Sequence, residues 1–307
     1  MLNEPIDILT LHPIRKTKVQ KEIFRKDVIR YIQDLGYEVH TENCARGGEN
    51  IIFGDQAAAQ YLITAHYDTP ATIGIANVCT PCNALRSGLQ FFGSMLLSAS
   101  CTAGAALLFK AGHPVLGILL LIPILAFLYL VRNGPANVNN ANDNTSGIVT
   151  VLEIARTMPH AHRSKVAFVL FDLEEKGLKG SAAYRKAHKT DTEKQLILNL
   201  DCVGDGDYIL FMPTKKALKD EKLIARLKYL GGWFGTKQIQ TIDKGYCSYN
   251  SDHKNFPVAV GIGACQKKKK TYILDKIHTK KDTNLDMTNV NLLRAALTTF
   301  ICGKAVN

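Results

Sequence analysis

Apolar positions follow two alternating patterns along most of the chain. In residues 16–35 apolar side chains recur every three or four positions and Gly36 follows, which predicts an amphipathic helix and its end. Alternating strands and helices predict an α/β fold, in which helices flank a mixed central sheet. Short apolar runs between turn residues predict strands at residues 37–41, 50–53, 61–65, 165–171, 196–200, 208–212, 257–262 and 271–274. Further helices are predicted at residues 146–156, 178–187, 216–230 and 288–302.

Two uncharged apolar runs interrupt this alternation. Residues 89–109 and 114–131 contain no charged side chain, and only the short link 110–113 separates them. Each run approaches the roughly 20 residues that a helix needs to cross a bilayer. We therefore predict an inserted apolar helical hairpin at residues 88–132 that contacts the lipid bilayer. The alternative is a pair of buried core helices or a dimer face.

The distribution of basic residues predicts on which side of the membrane the rest of the chain lies. Most basic residues lie outside the hairpin, so we expect this larger part to face the cytoplasm at the cell membrane. The N-terminal region carries Lys16, Lys18 and Lys21 where a signal peptide would need its apolar segment, so no signal peptide is predicted.

The composition limits the classes of partner. The 307-residue chain has a formal charge of +11, which would suit nucleic acid, an anionic membrane or acidic substrates. No long basic stripe alternates with aromatic residues, and the lysine run 267–270 is typical of a solvated loop, so nucleic acid is not predicted. The sequence indicates no particular homo-oligomer.

The cysteine pattern favours a reducing compartment. Eight cysteines are scattered along the chain, and their spacing is unlike a disulfide framework. The one C-x-x-C motif, Cys79 to Cys82, has neither a second pair nor nearby histidines in the sequence. It therefore gives little support for a structural zinc site or a redox function.

Five residues in distinctive short motifs are candidate metal ligands. In chain order they are His66, Asp143, Glu175, Asp201 and His278. Two imidazoles and three carboxylates suit zinc, and a carboxylate at the centre of the set allows two ions to share a bridging ligand. Several of these residues come directly after predicted buried strands, where open α/β sheets place their sites. The set indicates metal-assisted hydrolysis.

Neighbouring carboxylates supply further chemistry. Asp68 lies two residues after His66 and could orient its ring, while Asp282 could do the same for His278. Glu174 adjoins Glu175, so one could bind metal while the other accepts a proton from the attacking water. Taken singly, each motif has a structural alternative: a surface histidine, a helix cap, a solvated acidic pair or a strand-end turn.

Six motifs together resemble the co-catalytic zinc aminopeptidases of metallopeptidase family 28, in clan MH. They lie on both sides of the hairpin, within residues 15–75 and 135–305. The resemblance implies one zinc peptidase catalytic domain of residues 1–87 and 133–307, with the aminopeptidase sandwich fold. The motifs are His66-Tyr67-Asp68, residues 142–147, residues 174–181, Leu200-Asp201, Ser251-Asp252-His253 and Ile277-His278-Thr279.

The resemblance also implies two zinc ions per chain. His66, Asp143 and Asp201 would bind one zinc. Asp143, Glu175 and His278 would bind the other, so that Asp143 bridges the pair.

Other residues acquire implied roles in the same way. Glu174 would be the general base, and Asp68 the carboxylate behind the first histidine. Asp252 and His253 would lie on the loop that flanks the substrate.

Two features depart from the family pattern. The family joins its first histidine to the bridging aspartate by a short loop, whereas here the apolar hairpin lies between them. The tyrosine that contacts substrate in some members, just before Ser-Asp-His, has two competing matches, Tyr246 and Tyr249.

We therefore predict a membrane-associated di-zinc aminopeptidase that takes a peptide substrate with a free N-terminus. Three alternatives stay open. A glutaminyl cyclase shares the fold and a similar ligand set but works with one zinc, and a carboxypeptidase of the clan would need a cationic pocket that the sequence does not reveal. A non-catalytic receptor-like domain is disfavoured because such relatives lose ligands, and all five are present here.

Overall fold

The computed structural model describes residues 2–72, 78–244, 247 and 249–303. Helices and strands alternate along it as predicted. The helices are α1 Ile8–Leu11, α2 Lys18–Asp34, α3 Ala84–Lys110, α4 Pro114–Asn133, α5 Gly147–Thr157, α6 Lys179–Ala187, α7 Lys189–Thr192, α8 Glu221–Tyr229 and α9 Met287–Cys302. The strands are β1 Val39–Asn43, β2 Glu49–Phe53, β3 Tyr61–His66, β4 Val166–Phe171, β5 Leu196–Leu200, β6 Tyr208–Pro213, β7 Gly232–Phe234, β8 Lys237–Thr241, β9 Ala259–Lys268 and β10 Thr271–Ile273.

These strands form a mixed sheet in the order β1-β2-β4-β3-β5-β9-β6-β8-β7, with β10 paired to β9. The central strands β4, β3, β5 and β9 run parallel, and antiparallel neighbours join them on both sides. Parallel central strands end at the same edge of the sheet, and that edge carries the candidate site. The predicted α/β fold with a mixed central sheet is confirmed.

Alternating side chains of the central strands pack against helices on both faces. On one face Phe53 and Phe168 stack with ring centroids 4.7 Å apart, in the core that also contains buried residues of α2, α5 and α9. On the other face Val169 and Ile197 pack against Tyr184 of α6. Burial on both faces explains why these strands are continuous apolar runs in the sequence.

Two predicted elements need correction, and two short strands were missed. The helix predicted over 216–230 is a short 3₁₀ turn followed by α8, because the Asp220 side chain accepts the Leu223 N–H at 3.0 Å and starts a new helix. The strand predicted over 257–262 begins two residues later and continues as β9 to Lys268. Strands β7 and β8 were not predicted, since their residues alternate polar and apolar only briefly.

The two apolar runs form helices α3 and α4, which pack against each other as a hairpin. Their contact is close because small residues meet: a Cβ added at Gly117 would lie 3.1 Å from the Ala105 carbonyl oxygen. Within the described residues, Leu85–Lys110 and Pro114–Asn133 have the length and apolar character to cross a membrane, and only 6% of each apolar window is buried.

The hairpin base is tied to the rest of the fold by polar contacts. The Arg132 guanidinium donates to the Lys176 carbonyl at 2.8 Å, and the Lys176 ammonium donates to the Arg132 carbonyl and to Asn133 Oδ1. These contacts join the end of α4 to the segment that contains the acidic pair. The alternative of two buried core helices does not fit their exposure; the division into a catalytic domain and a membrane hairpin stays a prediction.

Candidate metal centre

Three neighbouring strands bring the first group of candidate residues together. His66 is the last residue of β3, Asp201 directly follows β5, and Glu174 and Glu175 follow β4 after a short turn. Because β4, β3 and β5 are adjacent and parallel, these side chains share one edge of the sheet. Residues that are far apart in sequence thus converge.

Asp143 reaches the same place from the turn that precedes α5. Asp282 fixes this turn, since its carboxylate accepts the N–H groups of Asn142 at 2.7 Å and Asp143 at 3.0 Å. The Asn144 side chain anchors the other side by donating to the Leu200 carbonyl at 3.0 Å. The peptide bond between Asp143 and Asn144 is cis.

The two oxygens of Asp143 face two different histidines. Oδ1 lies 3.3 Å from His66 Nε2, and Oδ2 lies 3.0 Å from His278 Nε2. Asp201 Oδ1 lies 3.7 Å from His66 Nε2, and Glu175 Oε1 lies 3.5 Å from His278 Nε2. The five side chains therefore form two groups of three that share Asp143.

These distances fit a pair of tetrahedral zinc sites. Zinc binds His and carboxylate atoms at about 2.0–2.2 Å, which places neighbouring ligand atoms about 3.3 Å apart in a tetrahedron. Buried carboxylates this close together favour either protonation or a bound cation, because their charges repel and their burial removes water. Both the types of ligand atom and the distances between them fit zinc.

The burial of these side chains and their close approach also shift their pKa values. Burial raises the pKa of Glu175 to about 7, and it raises the pKa of Glu174 well above its usual range. Burial opposes protonation of His278, yet the charges of Glu175 and Asp143 raise its pKa to about 9. Burial likewise opposes ionisation of Asp143, but hydrogen bonds from the two imidazoles hold its pKa below its usual value.

Asp68 connects the first histidine to the acidic pair. Its Oδ1 accepts the Glu174 N–H at 3.0 Å, and its Oδ2 accepts the Glu175 N–H at 3.2 Å. The same Oδ1 lies 3.5 Å from His66 Nδ1, while the Asp68 carbonyl is slightly closer at 3.2 Å. Asp68 thus holds both the imidazole and the loop with the two glutamates.

A cavity of about 330 Å³ opens over the centre. Tyr249 and Asn250 form part of its wall, together with Cys79. The Tyr249 hydroxyl donates to the Asp201 carbonyl at 2.9 Å. Of the two tyrosines considered for substrate contact, Tyr249 therefore lines the cavity, and Tyr246 lies outside the described residues.

The rest of the substrate-loop motif lies behind this wall. Asp252 is fully buried and accepts a hydrogen bond from the Ser181 hydroxyl, and His253 stacks against Tyr249 with ring centroids 6.3 Å apart. Neither side chain is among the residues that line the 330 Å³ cavity. In this arrangement they support the loop from inside.

Two buried residues of the site have contacts that sequence reasoning did not predict. Asp282 binds the turn of Asp143, whereas it was expected beside His278, whose Nδ1 has no hydrogen-bond partner among the described residues. Among the described residues, the fully buried Arg15 donates only to neutral oxygens, including the Tyr67 carbonyl at 2.7 Å. No motif in the sequence marks Arg15.

Fold and site together are typical of α/β proteins of the metallopeptidase class. The chain belongs to peptidase family M28, whose family model matches residues 129–300. The resemblance drawn from six short motifs is confirmed. No curated protein matches the chain in a sequence search.

Solved structures of low sequence identity share the fold. The LapA aminopeptidase of Legionella pneumophila is 14% identical with a TM-score of 0.61, over 98% of this chain and 72% of that one. A Zn-dependent exopeptidase from Parabacteroides distasonis is 15% identical with a TM-score of 0.59, over 95% and 92%. The glutaminyl cyclase of Porphyromonas gingivalis is 16% identical with a TM-score of 0.61, over 95% and 92%.

Proposed function

We propose that the chain is a zinc-dependent aminopeptidase that removes the N-terminal residue of peptides with a free N-terminus. The observation that carries this proposal is the position of Asp143 between the two imidazoles, with one oxygen facing each. A shared carboxylate is the ligand that a two-metal hydrolytic site needs. Two zinc ions per chain are therefore part of the proposal.

His66, Asp143 and Asp201 would hold one zinc, and Asp143, Glu175 and His278 would hold the other. When bound there, zinc would supply Lewis-acid chemistry, which would polarise the scissile carbonyl and make a neighbouring water easier to deprotonate. Glu174 is the group that accepts this proton and returns it to the leaving amine.

The surrounding residues explain how Glu174 is held for this role. The Asp68 carboxylate fixes the backbone of the acidic pair, so the Glu174 side chain starts from a defined position. Among the described residues that line the cavity there is no lysine or arginine, and a carboxypeptidase would need such a cation to bind the C-terminal carboxylate of its substrate.

A second candidate function is cyclisation of an N-terminal glutamine. It is supported by the glutaminyl cyclase fold match, whose TM-score of 0.61 equals that of the aminopeptidase match. The two functions differ in product: an aminopeptidase releases an amino acid, whereas a cyclase releases ammonia and leaves a pyroglutamyl peptide.

One experiment separates these candidates. The purified full chain is incubated with zinc and a panel of amino-acid amides, N-acetylated peptides and a peptide that begins with glutamine. An aminopeptidase hydrolyses the amides and unblocked peptides and leaves the acetylated ones intact. Cyclisation without release of free amino acids would overturn the proposal in favour of a cyclase.

We also propose that residues 88–132 anchor the protein in the cell membrane with the catalytic domain on the cytoplasmic side. The exposed apolar surface of α3 and α4 supports this, because soluble proteins rarely expose a continuous apolar patch of that size. Lipid also leaves both helices with their backbone groups satisfied internally. Protease accessibility of the domain in sealed inside-out and right-side-out vesicles tests the orientation.

A further inference from the structure

Five cysteines lie together beside the cavity, although none is among the proposed metal ligands. Cys79 and Cys82 precede α3, Cys202 follows Asp201, Cys247 lies between β8 and β9, and Cys265 is buried in β9. All eight cysteines of the chain are free thiols in this structure. Among the described residues, the groups that could hold a metal contain no cysteine, so this cluster is not arranged as a zinc site.

Two cysteines of the cluster are in direct contact through their sulfur atoms. Cys82 Sγ lies 2.9 Å from Cys247 Sγ, although 165 positions separate the two residues. A disulfide has an S–S length of about 2.05 Å, so a movement of about 0.9 Å would join them. Both residues are half-buried, so neither is enclosed in the core.

We propose that Cys82 and Cys247 form a reversible disulfide by exchange with a small oxidised thiol such as glutathione disulfide. The bond would join the base of the hairpin to the loop that lines the cavity. In a reducing compartment the pair stays as two thiols until such an oxidant accumulates.

The chemistry of the exchange follows from the contact between the thiols. The hydrogen bond from Cys247 lowers the pKa of Cys82, so the thiolate forms at Cys82. That thiolate attacks one sulfur of the reagent, whose S–S bond breaks and releases one reduced thiol. Cys247 then loses its proton and attacks the mixed disulfide at Cys82, which releases the second reduced thiol. Two electrons pass from the protein to the reagent.

The position of the pair gives the bond a structural consequence. Cys82 is two residues before α3 and Cys247 is two residues before Tyr249. Cys79, close to the first partner, is held to Leu274 by two backbone hydrogen bonds of 2.8 and 2.9 Å. The disulfide would therefore tie Cys247, two residues before the cavity wall at Tyr249, to a fixed part of the fold.

Peptide mapping of the full chain tests the proposal without any activity measurement. The protein in detergent is incubated with excess glutathione disulfide, alkylated, digested and analysed by mass spectrometry with and without dithiothreitol. We expect a reducible link between the peptides of Cys82 and Cys247 that survives in Cys79→Ser and Cys101→Ser. A link between Cys79 and Cys82, adducts of glutathione alone, or unmodified thiols would each overturn it.

Limited proteolysis supplies a second readout that does not depend on variants. Lys244 is exposed and lies just before Cys247, so trypsin should cut there several-fold more slowly after oxidation. Cleavage in the exposed lysine run 267–270 should keep its rate, because that turn lies outside the closed link. Equal slowing at both places, or none at Lys244, contradicts the proposed link.

Discussion

Asp282 offers a sharp test of how the centre is assembled, because its carboxylate hydrogen-bonds Asp143 through the backbone N–H. Its two carboxylate oxygens accept the N–H groups of Asn142 and Asp143 at 2.7 and 3.0 Å, and the side chain is 1% exposed. The substitution Asp282→Asn keeps its size but leaves one oxygen acceptor. Its amide NH₂ would face a backbone N–H that donates as well.

The cost can be worked out from these two bonds. A hydrogen bond to a charged group contributes about 1.5–3 kcal/mol, and a neutral one about 1 kcal/mol. Losing one bond and weakening the other should therefore cost about 2–5 kcal/mol. Since the turn also positions Asp143, we expect zinc affinity to fall about 10–100-fold, as is usual when a group that supports a metal ligand is removed.

Competition with a zinc chelator measures this affinity, and thermal unfolding with and without zinc measures the stability. Asp275→Asn is the matched control, because Asp275 pairs with Lys268 at the surface, where ion pairs contribute about 0–1 kcal/mol. If Asp282→Asn binds zinc as tightly as the Asp275→Asn control, the turn of Asp143 does not depend on this carboxylate and the reasoning is wrong.

Three further predictions test separate parts of the account. The Glu174→Gln variant should keep both zinc ions and lose about 10²–10⁴-fold in kcat, whereas the Glu175→Gln variant should release zinc. Normal turnover of Glu174→Gln at full metal content would mean that another group is the base. In the zinc-free protein, the free energy of unfolding should fall as pH rises. The fold raises the pKa of Glu175 from 4.5 to about 7 and that of His278 from 6.5 to about 9, so both groups prefer the protonated form in the fold and stability is lost between pH 4.5 and 9. Denaturant titrations measure this, and a rise in stability over that range would contradict the cause assigned. Replacing residues 88–132 by a short Gly/Ser linker should move the chain from the membrane to the soluble fraction with hydrolysis still measurable; a full-length chain that is monodisperse without detergent would refute the membrane anchor.

The sequence was informative wherever a motif directly follows a buried strand. His66 and Asp201 end or follow strands whose apolar runs are continuous, so their meeting at one sheet edge could be predicted. The hairpin was equally visible, because uncharged runs of this length are rare. The first prediction rests on the geometry of parallel sheets, and the second rests on the local pattern of uncharged residues.

Contacts that depend on tertiary structure could not be predicted in the same way. No motif marks Arg15, which binds backbone and neutral side-chain oxygens. The spacing from His278 did mark Asp282, but its actual contact with the turn of Asp143 depends on the folded chain. The nearness of Cys82 to Cys247 is likewise a property of the folded loops. Short strands β7 and β8 form because β6 is present to pair with β8.

The most direct test of the central claim is a crystal structure of the zinc-loaded full chain with anomalous scattering at the zinc edge. We predict two zinc ions per chain, about 3.5 Å apart, with one oxygen of Asp143 bound to each. His66 and Asp201 should complete one site, and Glu175 and His278 the other. A single zinc ion, or two ions that Asp143 does not bridge, would contradict the account.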